Sequence, residues 1–205
     1  MANPFATRYT RLRQPGDLDN PGRITPLDEK GRPFDAVAAL TALVEAGGCA
    51  AFVGPHGSGK STRLQACAQV ALTRGEHVCE IRLRRWSDAL RAAWLIRTLH
   101  AGTLVCVDSL EQAGRVGRAV LRRLARSRRL RLLVTCHTPM GLPVLATCST
   151  SLPLLETLVA QLSGGESGLS SADIAEAYEA SRGNLREAFF ILYDRVEAAE
   201  RQQRS

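Results

Sequence analysis

The sequence predicts an α/β fold in which a doubly wound, five-stranded parallel sheet is followed by a small C-terminal helical lid. Short apolar runs alternate with amphipathic stretches through the middle of the 205-residue chain. Each run is about five residues long and apolar throughout, which is typical of strands that helices cover on both faces. The last part of the chain has helical patterns with no strand between them, so it is expected to form the lid.

The predicted core, residues 34–150, starts with a helix after Pro33 that ends at Gly47 and Gly48. The strands are predicted at residues 49–53, 77–83, 103–107, 130–136 and 144–148. The helices between them are predicted at residues 59–74, 87–100 and 111–127. Open parallel sheets bind ligands beyond the carboxyl ends of their strands, so a site is expected in the loops there.

Two segments flank this core. Residues 1–33 are rich in proline, with scattered glycines and charges, which predicts an irregular N-terminal arm. Residues 151–205 are predicted to form the lid, with a helical run at 153–163 and two further helices. Ser170 and Asp173 form a predicted capping box at the start of the first of these helices, and Gly183 ends it. Asn184 with Glu187 starts the second.

Composition limits the class of protein. Apolar residues make up 45% of the chain and charged residues 23%, which is ordinary for a globular domain. No run approaches the roughly 18–20 apolar residues of a membrane span, and the N-terminus lacks the apolar segment of a secretory signal, so we expect a cytoplasmic protein. The six cysteines form no CxxC motif or Cys/His cluster, which favours small buried side chains over a zinc site.

A glycine-rich segment at residues 54–61 carries the strongest functional signal. It fits the pattern G-x-x-x-x-G-K-[ST], directly after a predicted strand and directly before a predicted helix. Glycines let the backbone amides turn toward an anion, and the helix N-terminus adds its positive end. The segment therefore predicts an ATP site made by Gly54, Pro55, His56, Gly57, Ser58, Gly59, Lys60, Ser61 and Thr62.

Within this predicted site, Lys60 is expected to contact the β- and γ-phosphates, and the Ser61 hydroxyl to ligate Mg²⁺. Asp108 follows four apolar residues at the carboxyl end of a predicted strand, where it is expected to be the second Mg²⁺ partner, through water. A helix N-cap is the alternative interpretation of Asp108.

The position that follows Asp108 lacks the carboxylate expected to activate water. Many ATPases of this class have a glutamate immediately after the strand aspartate, but this chain has Ser109 there. Glu111 is the first substitute that we predict, and Glu80 on the preceding predicted strand is the second. An ordinary carboxylate in the first turn of a helix is the alternative interpretation of Glu111.

With these motifs in place, the chain resembles the AAA+ and related additional-strand P-loop ATPases, which include origin-recognition, transposition-helper and STAND ATPases. The resemblance covers about residues 34–200 and implies a P-loop NTPase three-layer sandwich. It rests on GPHGSGKS at 54–61, LVCVD at 104–108, LLVTCHT at 132–138 and GNLREA at 183–188.

The resemblance also implies roles for three further residues. Thr135, or His137 in its place, corresponds to the polar residue that helps to position the attacking water. Arg186 corresponds to the lid arginine that touches the γ-phosphate within the same subunit. A strand terminus and a solvated helix residue are the alternative interpretations of Thr135 and Arg186.

An arginine-rich segment at residues 115–131 gives the chain much of its net charge of +7. Its pattern predicts a helix with one basic and one apolar face. The resemblance makes Arg126, Arg128 or Arg129 a candidate finger toward a neighbouring subunit in a homo-oligomer. Nucleic-acid phosphates or solvent are the other partners that we considered for this basic face. The two faces are Arg115, Arg118, Arg122 and Arg126, and opposite them Val116, Val120, Leu121 and Leu124.

Three functions fit these observations. The first is an ATP-dependent switch or small motor that hydrolyses ATP with Mg²⁺. The second is a P-loop kinase of a small molecule, in which arginines at 82, 84, 85 and 91 hold the acceptor. The third is a module that binds ATP without turnover. Ser109, which stands in place of the expected glutamate, favours this third function.

Overall fold

The structure, a computed structural model, describes residues 26–28, 31–163 and 169–203. Most of the predicted N-terminal arm, at 1–25, 29 and 30, lies outside the described residues. The chain divides into two compact units. A sheet unit comprises residues 35–54 and 59–148, and a helical unit comprises residues 1–34, 55–58 and 149–205.

The sheet unit contains a five-stranded, all-parallel sheet in the order β2-β3-β4-β1-β5. The predicted α/β fold with a five-stranded parallel sheet is therefore confirmed. The three central strands are almost entirely buried, because their apolar side chains point to helices on both faces. The strands are β1 Cys49–Val53, β2 Val78–Arg82, β3 Leu104–Asp108, β4 Arg131–Cys136 and β5 Val144–Thr147.

Four helices cover the sheet: α1 Ala36–Glu45, α2 Lys60–Thr73, α3 Asp88–Thr98 and α4 Gly114–Ser127. Helices α3 and α4 bury small and aliphatic side chains against one face. Helices α1 and α2 pack on each other and on the strands. The described cysteines are all free, and all but Cys79 are buried.

The predicted helix at 111–127 has an irregular start. Leu110–Ala113 forms a 3₁₀ turn, and the α-helix begins only at Gly114. The backbone cannot continue as one α-helix because Ser109 and Gly114, on either side of the turn, both have a φ of 65°.

The apolar face predicted for α4 is buried only in part. Val116 is 78% exposed and Val120 is 41% exposed. Leu121 of the same predicted face is fully buried, and so is Ala125, which the prediction did not include. Of the predicted basic face, Arg122 donates a hydrogen bond to the carbonyl oxygen of Gly141 at 3.0 Å, so it lies against the protein.

The helical unit contains α5 Leu152–Ser163, α6 Ser171–Ala180 and α7 Leu185–Gln203, which share one apolar core with Leu27. The predicted capping box is present at the start of α6: Ser170 Oγ accepts from Asp173 N, and the Asp173 carboxylate accepts from Ser170 N. No helix in the described part of the chain combines the length and the apolar character that a membrane crossing requires.

Helices α3 and α4 approach closely at a glycine. A Cβ atom on Gly117 would lie 3.1 Å from the Cβ atoms of Ala89 and Ala113. We expect Gly117→Leu to lower the free energy of unfolding by about 1–3 kcal/mol, because the larger side chain overpacks this contact. Denaturant unfolding of the full chain measures the change.

Ala119→Leu, at an exposed position of the same helix, is the matched control. We expect its free energy of unfolding to stay within about 0.5 kcal/mol of the original protein. Equal losses in the two variants would contradict the close approach at Gly117.

Candidate nucleotide-binding site

The glycine-rich loop joins the carboxyl end of β1 to α2. Gly57 and Gly59 have φ values of 72° and 82°. Residues other than glycine adopt this left-handed backbone conformation only at an energetic cost. Gly59 is the N-cap of α2, and no side chain caps that end of the helix. The N-terminal end of α2, which carries the positive end of the helix dipole, therefore favours an anion at the end of the loop.

Lys60 is the first residue of α2 and is buried, with 9% of its surface exposed. Its Nζ donates a hydrogen bond to the Gly54 carbonyl oxygen at 2.7 Å. Burial lowers the pKa of Lys60, and the charges of Cys148, Glu111 and Asp108 oppose that shift. An ammonium group that burial has separated from water gains most from an anion placed beside it.

Asp108, the last residue of β3, is the centre of a hydrogen-bond network. Its Oδ1 accepts from Ser61 Oγ at 2.7 Å and from Thr135 Oγ1 at 2.6 Å. Its Oδ2 accepts from Arg82 Nε at 3.1 Å. Burial raises the pKa of Asp108, but the Thr135 and Ser61 hydroxyls and Arg82 outweigh it, so the pKa lies below the ordinary value. The group is thus held as a carboxylate.

The residue after Asp108 has a constrained backbone. Ser109 has a φ of 65°, which is uncommon for a residue other than glycine. Its amide donates a hydrogen bond to Thr135 Oγ1 at 2.8 Å. The Thr135 hydroxyl therefore accepts from Ser109 and also donates to Asp108. Backbone strain of this kind is often found at functional sites.

Glu111, on the 3₁₀ turn, is paired with a histidine. Its Oε1 lies 3.0 Å from His137 Nε2, and His137 Nδ1 lies 3.2 Å from the Gly54 carbonyl oxygen. Both partners are acceptors, so both ring nitrogens donate only when the imidazole is protonated. Glu111 Oε2 is buried and has no hydrogen-bond partner among the described residues. A buried carboxylate oxygen in that state is suited to accept from a bound water.

The oxygen groups at this place suit a magnesium ion. The Ser61 hydroxyl and the Asp108 carboxylate are hard oxygen donors that already lie within 2.7 Å of each other. Mg²⁺ is bound in proteins by one or two carboxylates, hydroxyls, waters and substrate phosphates. Within the described residues, no cluster of three or more His, Cys, Asp or Glu residues offers a protein-only metal site.

Sequence reasoning missed Arg82 as a partner of Asp108 and assigned it to a kinase acceptor instead. The parallel register of β2 and β3 places Arg82 opposite Asp108, and Glu80 opposite Cys106. Glu80 is exposed and lies two residues before Arg82, the last residue of β2. The register could have been found only by pairing the two strands, which their apolar patterns do not specify.

Within the helical unit, Asn184 connects the glycine-rich loop to α7. Its Oδ1 accepts from Arg186 N at 3.2 Å, which caps the helix. A Cβ atom on Gly57 would lie 1.9 Å from the same oxygen, so the Asn184 side chain fills the space that a side chain at 57 would need. Nearby in the loop, Ser58 Oγ donates to the Pro55 carbonyl oxygen at 2.8 Å.

Gly57→Ala tests this contact. We expect the variant to lose about 1–3 kcal/mol of unfolding free energy, since the new methyl group meets Asn184 and the backbone is left-handed. Thermal or denaturant unfolding measures the loss.

Asn184→Gly removes the obstructing side chain and serves as the second arm of a double-mutant cycle. The two changes together should cost less than the sum of the single changes. Strict additivity would contradict the contact between residues 57 and 184.

Comparison with known proteins gives a fold. No protein-family model matches the chain, and no curated protein matches its sequence. A variant of RuvB from Thermotoga maritima superimposes with a TM-score of 0.55 at 15% identity, covering 82% of this chain and 64% of that one. The RuvB Holliday junction branch migration motor of the same organism gives a TM-score of 0.52 at 16% identity, with the same coverage.

This chain therefore spans a little under two thirds of the RuvB chains that it matches. At these identities the likeness concerns architecture alone. The chain has the fold of the AAA+ P-loop ATPases.

Proposed function

We propose that this chain binds ATP with Mg²⁺, hydrolyses it and acts as an ATP-dependent switch or small motor. The observation that supports the proposal best is the convergence of Lys60, Ser61 and Asp108 at the carboxyl ends of β1 and β3. A candidate anion site, oxygen donors for a cation and a partly buried carboxylate lie together there. This combination suits a nucleoside triphosphate better than a simple anion.

Each residue has a distinct task in this proposal. Lys60 leaves the Gly54 carbonyl and contacts the β- and γ-phosphates, while the loop amides hold the same oxygens. Ser61 and Asp108 hold Mg²⁺, which when bound neutralises charge that develops on the phosphates. Thr135 orients the Asp108 carboxylate and the water.

Glu111 is the group that we assign to water activation. Its free oxygen is buried, and its other oxygen is held by His137, which fixes the direction of the carboxylate. The carboxylate accepts a proton from water as the water attacks the γ-phosphate in line. His137 is a positioning residue in this arrangement, because it acts through Glu111.

Arginines supply the remaining positive charge in the proposal. Arg186, the second residue of α7, contacts the γ-phosphate within the subunit. Arg126 lies in the last turn of α4, and Arg128 and Arg129 follow that helix, about 20 Å of helix from the turn that carries Glu111. That distance prevents them from serving their own subunit, so one of them acts as a finger toward a neighbouring copy.

A module that binds ATP without turnover is the second candidate. Ser109 replaces the expected carboxylate, and Glu111 is engaged by His137. If His137 does not release or reorient Glu111, bound ATP persists and gates a contact with a partner.

Lys60→Met tests the anion site. We expect ATP affinity to fall by roughly 10- to 100-fold, because a charged hydrogen bond of about 1.5–3 kcal/mol is lost. Titration with a fluorescent ATP analogue in the presence of Mg²⁺ measures it, with thermal unfolding as the check that the variant is folded. Unchanged affinity in a folded variant would remove the site assignment.

Glu111→Gln separates hydrolysis from binding. We expect single-turnover hydrolysis to slow by about 100-fold or more, with ATP affinity retained, because a general base is lost and the shape is kept. Glu80→Gln on the exposed edge strand is the matched control and should leave the rate unchanged.

The same measurement decides between the two candidates. Measurable turnover that is lost only in Glu111→Gln supports the ATPase. Turnover that is equal in both variants shows that the water-activating residue is another group, and absence of turnover in the original protein supports the binding module.

A further inference from the structure

Helix α3 and the turn before it expose large apolar side chains. Leu90 and Trp94 are four residues apart on the helix, and Trp86 lies four residues before Leu90 in the turn that leads into α3. Their exposed fractions are 69% for Trp86, 67% for Leu90 and 71% for Trp94. Leu90 and Trp94, at this spacing, share one helix face, and Trp86 adds a third exposed apolar side chain in the turn just before the helix.

The neighbouring helix adds two more exposed apolar side chains. Val116 and Val120, again four residues apart, are exposed on α4. The two helices lie in one layer on the same face of the sheet and approach closely where Ala89 meets Gly117. We use "α3–α4 surface" for the five exposed apolar residues Trp86, Leu90, Trp94, Val116 and Val120.

Such a surface is unusual for a chain that leaves it open to water. Single exposed apolar residues are common, but five large ones on two neighbouring helices, two of them tryptophans, are typical of an interaction site. These are the two tryptophans of the whole sequence. Tryptophan is also the residue that most often dominates the energy of a protein interface.

The charged side chains of α3 and α4 are basic apart from one aspartate. Asp88 is the single acidic residue in the sequence of α3 and α4. Its Oδ2 already accepts from the backbone amides of Arg84 and Arg85 at 2.9 and 3.2 Å. The exposed basic residues on or directly beside the two helices are Arg84, Arg85, Arg91, Arg97, Arg115, Arg123, Arg126, Arg128 and Arg129.

We propose that the α3–α4 surface binds an acidic amphipathic helix of a partner protein. The apolar side of that helix covers the tryptophans and the aliphatic side chains, and its carboxylates face the surrounding arginines. Side chains spaced four apart on α3 form a ridge of the kind that packs into the groove of another helix. This inference does not depend on the proposed nucleotide site.

Nucleic acid fits the same surface less well. Arginine and tryptophan together can bind single strands, because aromatic rings stack on bases. Leu90, Val116 and Val120 offer no such stacking, however, and they make up more than half of the α3–α4 surface by number. Aliphatic side chains in the middle of a basic frame favour a protein helix.

Charge also disfavours the two occupants that this chain itself could supply. Residues 1–25 contain four arginines and two aspartates, so the segment is basic like the surface that it would cover. A second copy of the chain carries a formal charge of +7. An acidic partner gains from the arginines that repel both of these.

The experiment uses the intrinsic fluorescence of the full chain, since both tryptophans report on the α3–α4 surface. The probe is a synthetic helical peptide with leucines four residues apart on one face and glutamates on the other. We expect a blue shift of the emission that saturates with peptide and weakens as salt is added. A scrambled peptide of the same composition and a single-stranded oligonucleotide are the comparison ligands.

Leu90→Glu is the test variant, because it keeps both tryptophans and adds a repelling charge. Its affinity for the helical peptide should fall by about tenfold or more, with ATP binding and thermal unfolding unchanged. Val44→Glu, at a 58% exposed position of α1, is the matched control and should bind the peptide normally.

Three results would overturn the proposal. The first is an emission spectrum that does not respond to the helical peptide. The second is a response to the scrambled peptide or the oligonucleotide as strong as that to the helical peptide. The third is a blue shift that grows with protein concentration alone and is lost in Leu90→Glu, which would identify a second copy as the occupant.

Discussion

The arrangement of the candidate nucleotide site depends on the hydrogen bonds that the Asp108 carboxylate accepts. This carboxylate accepts hydrogen bonds from α2 through Ser61, from β4 through Thr135 and from β2 through Arg82. One ionised side chain thus fixes the start of the helix after the glycine-rich loop relative to three strands. A partly buried carboxylate needs such partners, because without them burial alone would favour its neutral form.

A second shared acceptor, the Gly54 carbonyl oxygen, brings together the two groups that Asp108 does not contact. Lys60 donates to it from α2, and His137 contacts it from the segment after β4. His137 then reaches Glu111, so the cation and the candidate base are linked through one backbone oxygen. Ser109 stands where many ATPases with this loop have a glutamate. The 3₁₀ turn places another carboxylate, that of Glu111, two residues later.

The sequence predicted those features whose signals are local. Uniformly apolar strands indicated a parallel sheet that helices cover on both faces. The glycines of the loop indicated a tight turn, which Gly57 and Gly59 make with a left-handed backbone. The capping box predicted at Ser170 is present. Arg82 was missed because its partner depends on strand register. The exposure of Val116 and Val120 could not be predicted, because helical spacing shows which residues share a side of the helix but not which side meets the sheet. The roles of Arg186 and the trans finger stay predictions.

The close fit of Asn184 over Gly57 has a consequence for how such a chain can evolve. The oxygen that caps α7 occupies the place where any other amino acid would put its first side-chain carbon. A change at position 57 alone is therefore penalised, while loss of the asparagine first would open the way to it. Two positions far apart in the gene are thereby expected to drift as a pair, and an alignment of descendants should record that linkage.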